Sequence, residues 1–371
     1  MRHGLETCES SLFGNANSLH SVGRMAFQAL EDARVRVMRS IGASRPDEVV
    51  FTSGATEADN AALFGMSFAA WDSRRLKGLA PTHPNIVVSC IEHDAVLHAA
   101  ASLRRFGIDV RLVPVDSSGR VSENAFLSAL DSDTLMASVM MANNEVGTIQ
   151  PVARLASLAH AQGVVFHTDA VQALGKIPVD VGELGVDAAS FSAHKVGGPK
   201  GIGVLYLKTR TPFVSFMNGG GQERGLRSGT QNVAGALGAA AAFDAAVRCL
   251  NEVSSRQRPL RDRLYRELSS MPGVFASVQV PVGSQDFLPN IVNVCVRGFE
   301  SETLILQLDL KGICVSGGSA CSSGSLDPSH VLTALGIQRN LAQGSLRVSL
   351  GPQTSQADVD SFLQAFKEVI S

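Results

Sequence analysis

One lysine lies where a predicted buried strand of this sequence meets a glycine-rich turn. The tetrapeptide Ser192-Ala193-His194-Lys195 ends that strand, and the turn at 196–201 follows directly. A lysine in such a place is costly when charged and unpaired, so either its pKa falls or its amine is consumed in an imine. That chemistry fits a Schiff base with pyridoxal phosphate, whereas a lysine that reaches solvent from a surface loop would explain the same tetrapeptide.

A carboxylate upstream of this lysine fits the same cofactor. Asp169 stands just after the predicted strand 164–168, and Gln172 follows three residues later. The pyridinium nitrogen of pyridoxal phosphate needs a carboxylate to stay protonated, because the protonated ring is what withdraws electrons. Asp169 could supply that carboxylate, and the other role open to a lone aspartate here is a helix N-cap.

Small and hydroxyl-bearing residues join the first predicted strand to a helix. The junction reads Ser53-Gly54-Ala55-Thr56-Glu57-Ala58-Asp59. Free backbone N–H groups and the helix dipole attract an anion at such a junction, which predicts a phosphate site. Thr56 and Asp59 also fit a capping box, and capping alone would explain the pattern without any ligand.

A histidine after another strand is a candidate for proton chemistry. His93 follows the predicted strand 85–90 and could stack on a cofactor ring or move a proton, or it could be an ordinary polar residue with its hydrogen bonds satisfied. His98 is five residues away, which does not place both rings on one helical face. The sequence therefore predicts no metal site.

One cysteine and one arginine complete the candidates. Cys321 lies in the run 315–325, which is too rich in Gly and Ser to be a packed core and so suggests a nucleophile on a loop. No two cysteines have a Cys-x-x-Cys spacing, so neither a zinc ribbon nor a thioredoxin-like motif is indicated. Arg347 lies on a predicted strand and is suited to bidentate carboxylate binding, although it could be an ordinary surface arginine.

The elements around these residues alternate between strand and helix. Such alternation predicts a mostly parallel sheet covered on both faces, with ligands at the carboxyl ends of its strands. A long amphipathic helix is predicted at 21–41 before the first strand, and 71–84 is interpreted as a surface insertion. The predicted strands are 48–52, 85–90, 109–115, 135–140, 164–168, 187–192 and 202–207, the last two joined too tightly for a helical crossover.

The pattern changes in the last third of the chain. A long polar helix is predicted at 255–270, followed by strands near 275–282 and 290–296 and further helices at 301–310, 328–335 and 355–370. We expect a domain boundary near residue 255. The predicted domains are a large cofactor-binding domain at 1–255 and a small α+β domain at 256–371 that carries the Cys321 loop.

Composition excludes several classes of protein. The chain has 371 residues, with 32 Lys and Arg against 34 Asp and Glu, which provides no basic surface for nucleic acid or membrane lipids. A hydrophobic fraction of 45% excludes disorder, and six cysteines are too few for a disulfide scaffold. The first residues have no apolar signal region and 233–250 is too polar to span a membrane, so we expect a cytoplasmic protein.

Eight ordered motifs together resemble a known family. They are similar to the cysteine desulfurases of the NifS/IscS type, within the class V aminotransferase superfamily of pyridoxal phosphate enzymes. The motifs are FGNANSLHSVGR (13–24), FTSGATEADN (51–60), EHDAV (92–96), NNEVGTIQP (143–151), HTDAVQALGK (167–176), SFSAHKVGGPKGIGVLY (190–206), GGGQERGLRSGT (219–230) and SGGSACSSGSLDPSHVL (316–332).

The resemblance implies a fold-type I homodimer with active sites at the subunit interface. Cys321 would take sulfur from L-cysteine as a persulfide and release L-alanine, for iron–sulfur cluster assembly or other sulfur transfer to a scaffold or acceptor protein. Arg347 would bind the substrate carboxylate. In the cofactor site, Lys195 would form the Schiff base and carry a proton, Asp169 would pair with the pyridinium, and His93 would stack on the ring and act as acid and base. Asn144 and Gln172 would bond the phenolate oxygen, and Asn144 would also lie near the substrate. The phosphate would be held by Ala55, Thr56, Ser192 and His194, together with Thr230 from the other subunit.

Alternatives to this activity remain open from the sequence. A selenocysteine lyase or another class V aminotransferase would not need Cys321. The sequence also lacks the strand and Ala-Thr-Thr-Pro-like segment that usually precede the 13–24 motif in the family, so we expect a folded dimer of low desulfurase activity. A different kind of function is also open, in which the chain is an inactive dimer that acts as a binding partner.

Overall fold

The computed structural model describes residues 11–318 and 328–371, which form two compact units. The first unit comprises 11–113, 123–141 and 151–250, and the second comprises 114–122, 142–150 and the described residues from 251 onward. The second unit thus includes two short segments that the expected continuous domains, 1–255 and 256–371, assign to the first. These segments bond to residues of the later sequence: Ile149 donates its N–H to the Asp286 carbonyl, and Asn293 donates its side-chain amide to the Glu145 carbonyl.

A seven-stranded mixed sheet forms the centre of the first unit, in the order β1-β7-β6-β5-β4-β2-β3. The run from β3 to β6 is parallel, while β7 is antiparallel to both β6 and β1. This topology confirms the predicted mostly parallel sheet and the tight connection between the last two strands. The strands are β1 (Val49–Thr52), β2 (Asn85–Ser89), β3 (Asp109–Val113), β4 (Thr134–Ser138), β5 (Val165–Asp169), β6 (Ala188–Ser192) and β7 (Gly203–Leu207).

Helices flank this sheet as expected for strands that are buried on both faces. The inner strands β2, β4, β6 and β7 are buried along their whole length, which is typical of parallel sheets covered by helices. The helices of the first unit are α1 (Ser21–Ser40), α2 (Ala55–Leu76), α3 (Asp94–Leu103), α4 (Glu123–Ala129), α5 (Val152–Ala161), α6 (Val181–Leu184) and α7 (Val233–Arg248).

Helix α2 corrects one prediction. Residues 71–76, interpreted as part of a surface insertion, continue this helix to Leu76. The reason is packing, because Trp71 lies against the apolar cluster of the first unit. Arg74 adds a tertiary anchor by donating to the carbonyl oxygens of Ser132 and Thr134, at 2.6 and 2.7 Å. Only 77–84 forms the connection to β2.

The second unit contains a three-stranded antiparallel sheet in the order β10-β9-β8. Its apolar core lies between this sheet and the helices, with Leu264, Leu304 and Phe366 fully buried. The strand expected at 275–282 is shorter than predicted. The elements are α8 (Leu250–Ser269), β8 (Val274–Ala276), β9 (Ile291–Val296), α9 (Ser301–Asp309), α10 (His330–Ala334), α11 (Arg339–Ala342), β10 (Ser345–Ser349) and α12 (Gln356–Ile370).

Within the described ranges, no single helix is both long and apolar enough to cross a membrane. Helices α7 and α8 meet that criterion only when taken together, as a pair bent by 64°.

Candidate active site

Four strand ends of the first unit lie at the same edge of its sheet. Strands β2, β5 and β6 are parallel, and β1 has the same direction because both β1 and β6 are antiparallel to β7. Their carboxyl ends lead to the residues singled out from the sequence, and this edge is where parallel sheets bind ligands. The predicted residues at these junctions are Ala55, Thr56, His93, Asp169, Gln172, Ser192, His194 and Lys195.

Asp169 is the last residue of β5 and is buried, with 6% of its surface exposed. Its Oδ1 accepts the N–H of Val171 at 2.9 Å, and its carbonyl accepts the N–H of Met141 at 2.8 Å. Burial raises the pKa of this carboxyl above its ordinary value, and the Val171 bond and the charges of His93 and Lys195 offset only part of that rise. The carboxyl is therefore held in place by the sheet, and His93 and Lys195 lie close enough to favour its charged form.

His93 is the N-cap of α3, where its Nδ1 accepts the N–H of Ala95 at 3.1 Å. An Nδ1 that accepts a hydrogen bond carries no proton, so Nε2 carries it in the neutral ring. The side chain thus caps a helix and also lines a cleft of about 310 Å³ with polar residues of α2 and α3. The polar residues of this cleft are Thr56, Asn60, His93, Asp94, His98 and Ser102.

The predicted phosphate site, residues 53–56, lies at the N-terminus of α2 and is called the phosphate cup below. Its N-cap, Gly54, provides no side-chain hydrogen bond, so the first N–H groups of the helix are not capped from within. The capping box predicted for Thr56 and Asp59 is wrong, because the helix begins at Ala55 and Asp59 is buried. Strand β7 approaches closely from below: a Cβ on Gly203 would lie 2.5 Å from the Gly54 carbonyl carbon, so only glycine fits there.

Ser192, His194 and Lys195 lie at the end of β6 and in the single 3-10 turn that follows it. Ser192 is buried, whereas His194 and Lys195 are exposed at this edge of the first unit. Burial of the ring and the neighbouring lysines, Lys195 first among them, lower the pKa of His194. The turn thus presents an amine next to a mostly neutral imidazole.

Sequence reasoning missed a set of buried polar groups around Asp169. His167, two residues before it on β5, is fully buried, with Nδ1 2.9 Å from Ser138 Oγ and Nε2 3.0 Å from Ser190 Oγ. Asp59 of α2 lies 3.7 Å from the same Nε2. Three consecutive polar residues, His167 to Asp169, at the end of a strand that begins with Val165 and Phe166 are the signal that could have indicated this cluster.

Burial keeps these groups neutral. It lowers the pKa of His167 to about 3 and raises the pKa of Asp59 well above its ordinary value, with a further contribution from the charge of Asp169. Burial also raises the pKa of Glu92 to about 8, although Ser89 Oγ and the Met140 N–H both bond its Oε1. Of the buried carboxyls described here, Asp169 is the one whose charged form is favoured by His93 and Lys195.

Two predicted substrate residues come together within the second unit. Arg347 lies on β10, where its backbone pairs with Ser316, and its Nη1 donates to the carbonyl of Asn144 at 3.0 Å. A second contact holds the segment that carries Asn144, since buried Glu145 accepts the hydroxyl of Ser329 at 2.5 Å. Cys321 lies in 319–327, outside the described residues.

Thr230 is exposed at the end of the 219–230 loop. Two ion pairs hold this loop. Glu223 forms a buried pair with Arg34, at 2.6 and 2.9 Å, and Arg227 forms a forked pair with Glu57, at 2.7 and 3.1 Å.

In the part of the chain that the structure describes, no group of three or more His, Cys, Asp or Glu side chains could hold a metal ion.

Comparison with known proteins agrees with the motifs. The sequence model of the family described as aminotransferase class-V matches residues 6–362. A protein of Dictyoglomus turgidum, named cysteine desulfurase IscS, is 41% identical over 358 residues, which is 96% of this chain and 88% of that protein. A solved structure described as a NifS-like protein is 37% identical, with a TM-score of 0.88 and coverage of 99% of this chain and 94% of that one. A structure of SspA in complex with cysteine is 30% identical, with a TM-score of 0.78 over 95% of each chain.

The chain belongs to the class V aminotransferase family, and its fold matches that of the NifS-like structure. Within that family it groups with the cysteine desulfurases, which confirms the resemblance drawn from the sequence.

The raised pKa of Glu92 makes the stability of the fold depend on pH. The carboxyl stays protonated in the folded chain up to about pH 8, whereas its ordinary pKa is 4.5. Between these values the folded chain holds one more proton than the unfolded chain, so the free energy of unfolding falls as pH rises. We expect Glu92→Gln to flatten this fall in denaturant titrations between about pH 5 and 8, with exposed Glu302→Gln as the control. An unchanged slope would show that Glu92 is already ionised in the folded chain.

Proposed function

We propose that this chain uses pyridoxal phosphate to remove sulfur from L-cysteine, which leaves L-alanine and a persulfide on Cys321. The relatives named as cysteine desulfurases support the reaction. The observation that carries the cofactor assignment is the buried carboxyl of Asp169 at the ligand-binding edge of a parallel sheet. The charges of His93 and Lys195 favour its ionised form.

The residues of the first unit fit this cofactor chemically. Lys195 offers an amine for covalent attachment, Asp169 a buried carboxylate for the ring nitrogen, and the uncapped N-terminus of α2 a site for the phosphate. The close approach of Gly203 to Gly54 leaves no side chain beneath the cup. When bound, pyridoxal phosphate supplies an electron sink that weakens the C–S bond of cysteine.

The side chains then have separate tasks. Arg347 holds the substrate carboxylate, and its guanidinium is oriented by the Asn144 carbonyl at 3.0 Å. Lys195 and His93 move protons, since the Nδ1 of His93 is engaged by Ala95 and its Nε2 remains for exchange. The Cys321 thiolate attacks the sulfur of cysteine, so that an S–S bond forms as the C–S bond breaks. The electron pair of the C–S bond stays with the carbon skeleton, which takes up a proton to give alanine.

The cofactor site would be completed in a homodimer. Ala55, Thr56, Ser192 and His194 would hold the phosphate, Thr230 would reach it from the partner subunit, and Gln172 and Asn144 would bond the phenolate oxygen. The persulfide would pass to a scaffold or acceptor protein, for iron–sulfur cluster assembly or another sulfur transfer, in a cytoplasmic setting. A selenocysteine lyase is the second candidate, and Cys321 separates the two activities.

Paired substitutions test the proposal. Lys195→Ala should abolish both the yellow absorbance at about 400 nm and all turnover, because it removes the attachment amine.

Cys321→Ser should keep the absorbance and its change on adding cysteine, yet release no alanine or sulfide, since a hydroxyl is a poor acceptor of sulfur. Absorbance spectra and alanine assays measure these outcomes. Turnover of cysteine at the parental rate in Cys321→Ser would mean that the nucleophile lies elsewhere.

Arg347 provides a test of substrate binding. Arg347→Met should raise the KM for cysteine by roughly 10- to 100-fold, the loss expected for a charge-assisted bidentate contact, and leave the cofactor absorbance unchanged. Arg347→Lys should recover little, because an ammonium cannot form the planar fork. A KM that stays at the parental value in both variants would remove Arg347 from the substrate site.

A further inference from the structure

We propose that Arg227 and Glu57 form an electrostatic positioning pair for the phosphate cup: Arg227 neutralises a carboxylate that the first turn of α2 places beside the bound phosphate. The inference rests on the proposed function, since the phosphate belongs to the cofactor assigned there. It concerns two side chains to which neither the motifs nor the relatives give a role at this site.

Glu57 places a negative charge at the cup itself. It is the third residue of α2, and its Oε2 accepts the N–H of Ser53 at 2.8 Å, so the carboxylate folds back across the turn 53–56. Its side chain is 10% exposed. Burial alone would raise the pKa of Glu57, but hydrogen bonds from Arg227 and Ser53 lower it below the ordinary value. The carboxylate is therefore charged when a phosphate arrives.

Arg227 matches this charge from another part of the chain. Its Nε lies 2.7 Å from Oε1 and its Nη2 lies 3.1 Å from Oε2, which is the planar fork that arginine forms with carboxylates. The 219–230 loop is held independently of any ligand, because buried Glu223 bonds Arg34 and also the N–H of Phe51 on β1. Arg227 is therefore in place before the phosphate binds.

The arrangement has a consequence for anion binding. A carboxylate and a phosphate dianion within one helical turn repel each other, and the helix dipole that attracts the phosphate is partly offset by Glu57. With Arg227 in place the pair has no net charge, and Thr56 and the helix N–H groups act on the phosphate undiminished. Removal of Arg227 would expose the charge of Glu57, and removal of both groups would abolish it.

This charge logic gives a test that a purely structural role would fail. In the cofactor-free chain, Arg227→Met should weaken pyridoxal phosphate binding by about tenfold or more, whereas Glu57→Gln, which leaves the positive Arg227 alone, should not weaken it. The double variant should bind better than Arg227→Met alone. Titration of absorbance gives the dissociation constants, and inorganic phosphate used as a competitor should report the same order of affinities. The Arg227→Met defect should also shrink as salt concentration rises.

Other outcomes would overturn the inference. A double variant as weak as Arg227→Met would mean that Arg227 touches the phosphate directly, and additive losses that follow thermal stability would mean that the pair only holds the fold. Arg154→Met breaks an exposed ion pair with Glu123 of similar length, 2.9 Å, and serves as the matched control. If the parental chain itself gives no absorbance with pyridoxal phosphate, the proposed function fails; if it does and the double variant shows no recovery, this inference alone fails.

Discussion

A single buried carboxyl group at the end of β5 is the constraint around which the first unit is arranged. Asp169 is 6% exposed and bonded through both its side chain and its carbonyl, so its position is fixed by the sheet. A carboxylate in such a place needs neighbours that favour its charge, and His93 after β2 and Lys195 after β6 both do so. The same edge therefore brings together a carboxylate, an imidazole and an amine, the set that pyridoxal phosphate chemistry requires.

The groups beneath and beside this charge are arranged so as not to compete with it. Asp59 and Glu92 are buried with raised pKa values, and His167 is neutral between two serine hydroxyls. At the rim of the site, by contrast, Glu57 is charged but paired with Arg227. The buried groups around Asp169 are neutral, and the charge of Glu57 at the rim is compensated by Arg227. A ligand is therefore attracted electrostatically at Asp169 and at the phosphate cup.

The sequence predicts most of the fold because strand and helix periods alternate clearly in the first 250 residues. It also predicts the junction residues, since Lys195, Asp169 and His93 each lie at the end of a predicted strand. There the strand pattern and the reactive side chain are only a few residues apart in the sequence. The charge partners were not predicted, because Arg34 and Glu223 are 189 residues apart and no local pattern links such pairs. The full length of α2 was missed for a similar reason, as Trp71 is held by tertiary packing.

The most direct test of this account measures how much the negative charge of Asp169 contributes to turnover. At equal amounts of bound cofactor, alanine release from cysteine should fall by about two orders of magnitude or more in Asp169→Asn, because a neutral amide cannot stabilise the protonated ring. Asp169→Glu, which keeps the charge, should retain part of the activity. The account predicts this order of rates with the fold intact by circular dichroism. An Asp169→Asn variant that releases alanine at the parental rate would contradict it.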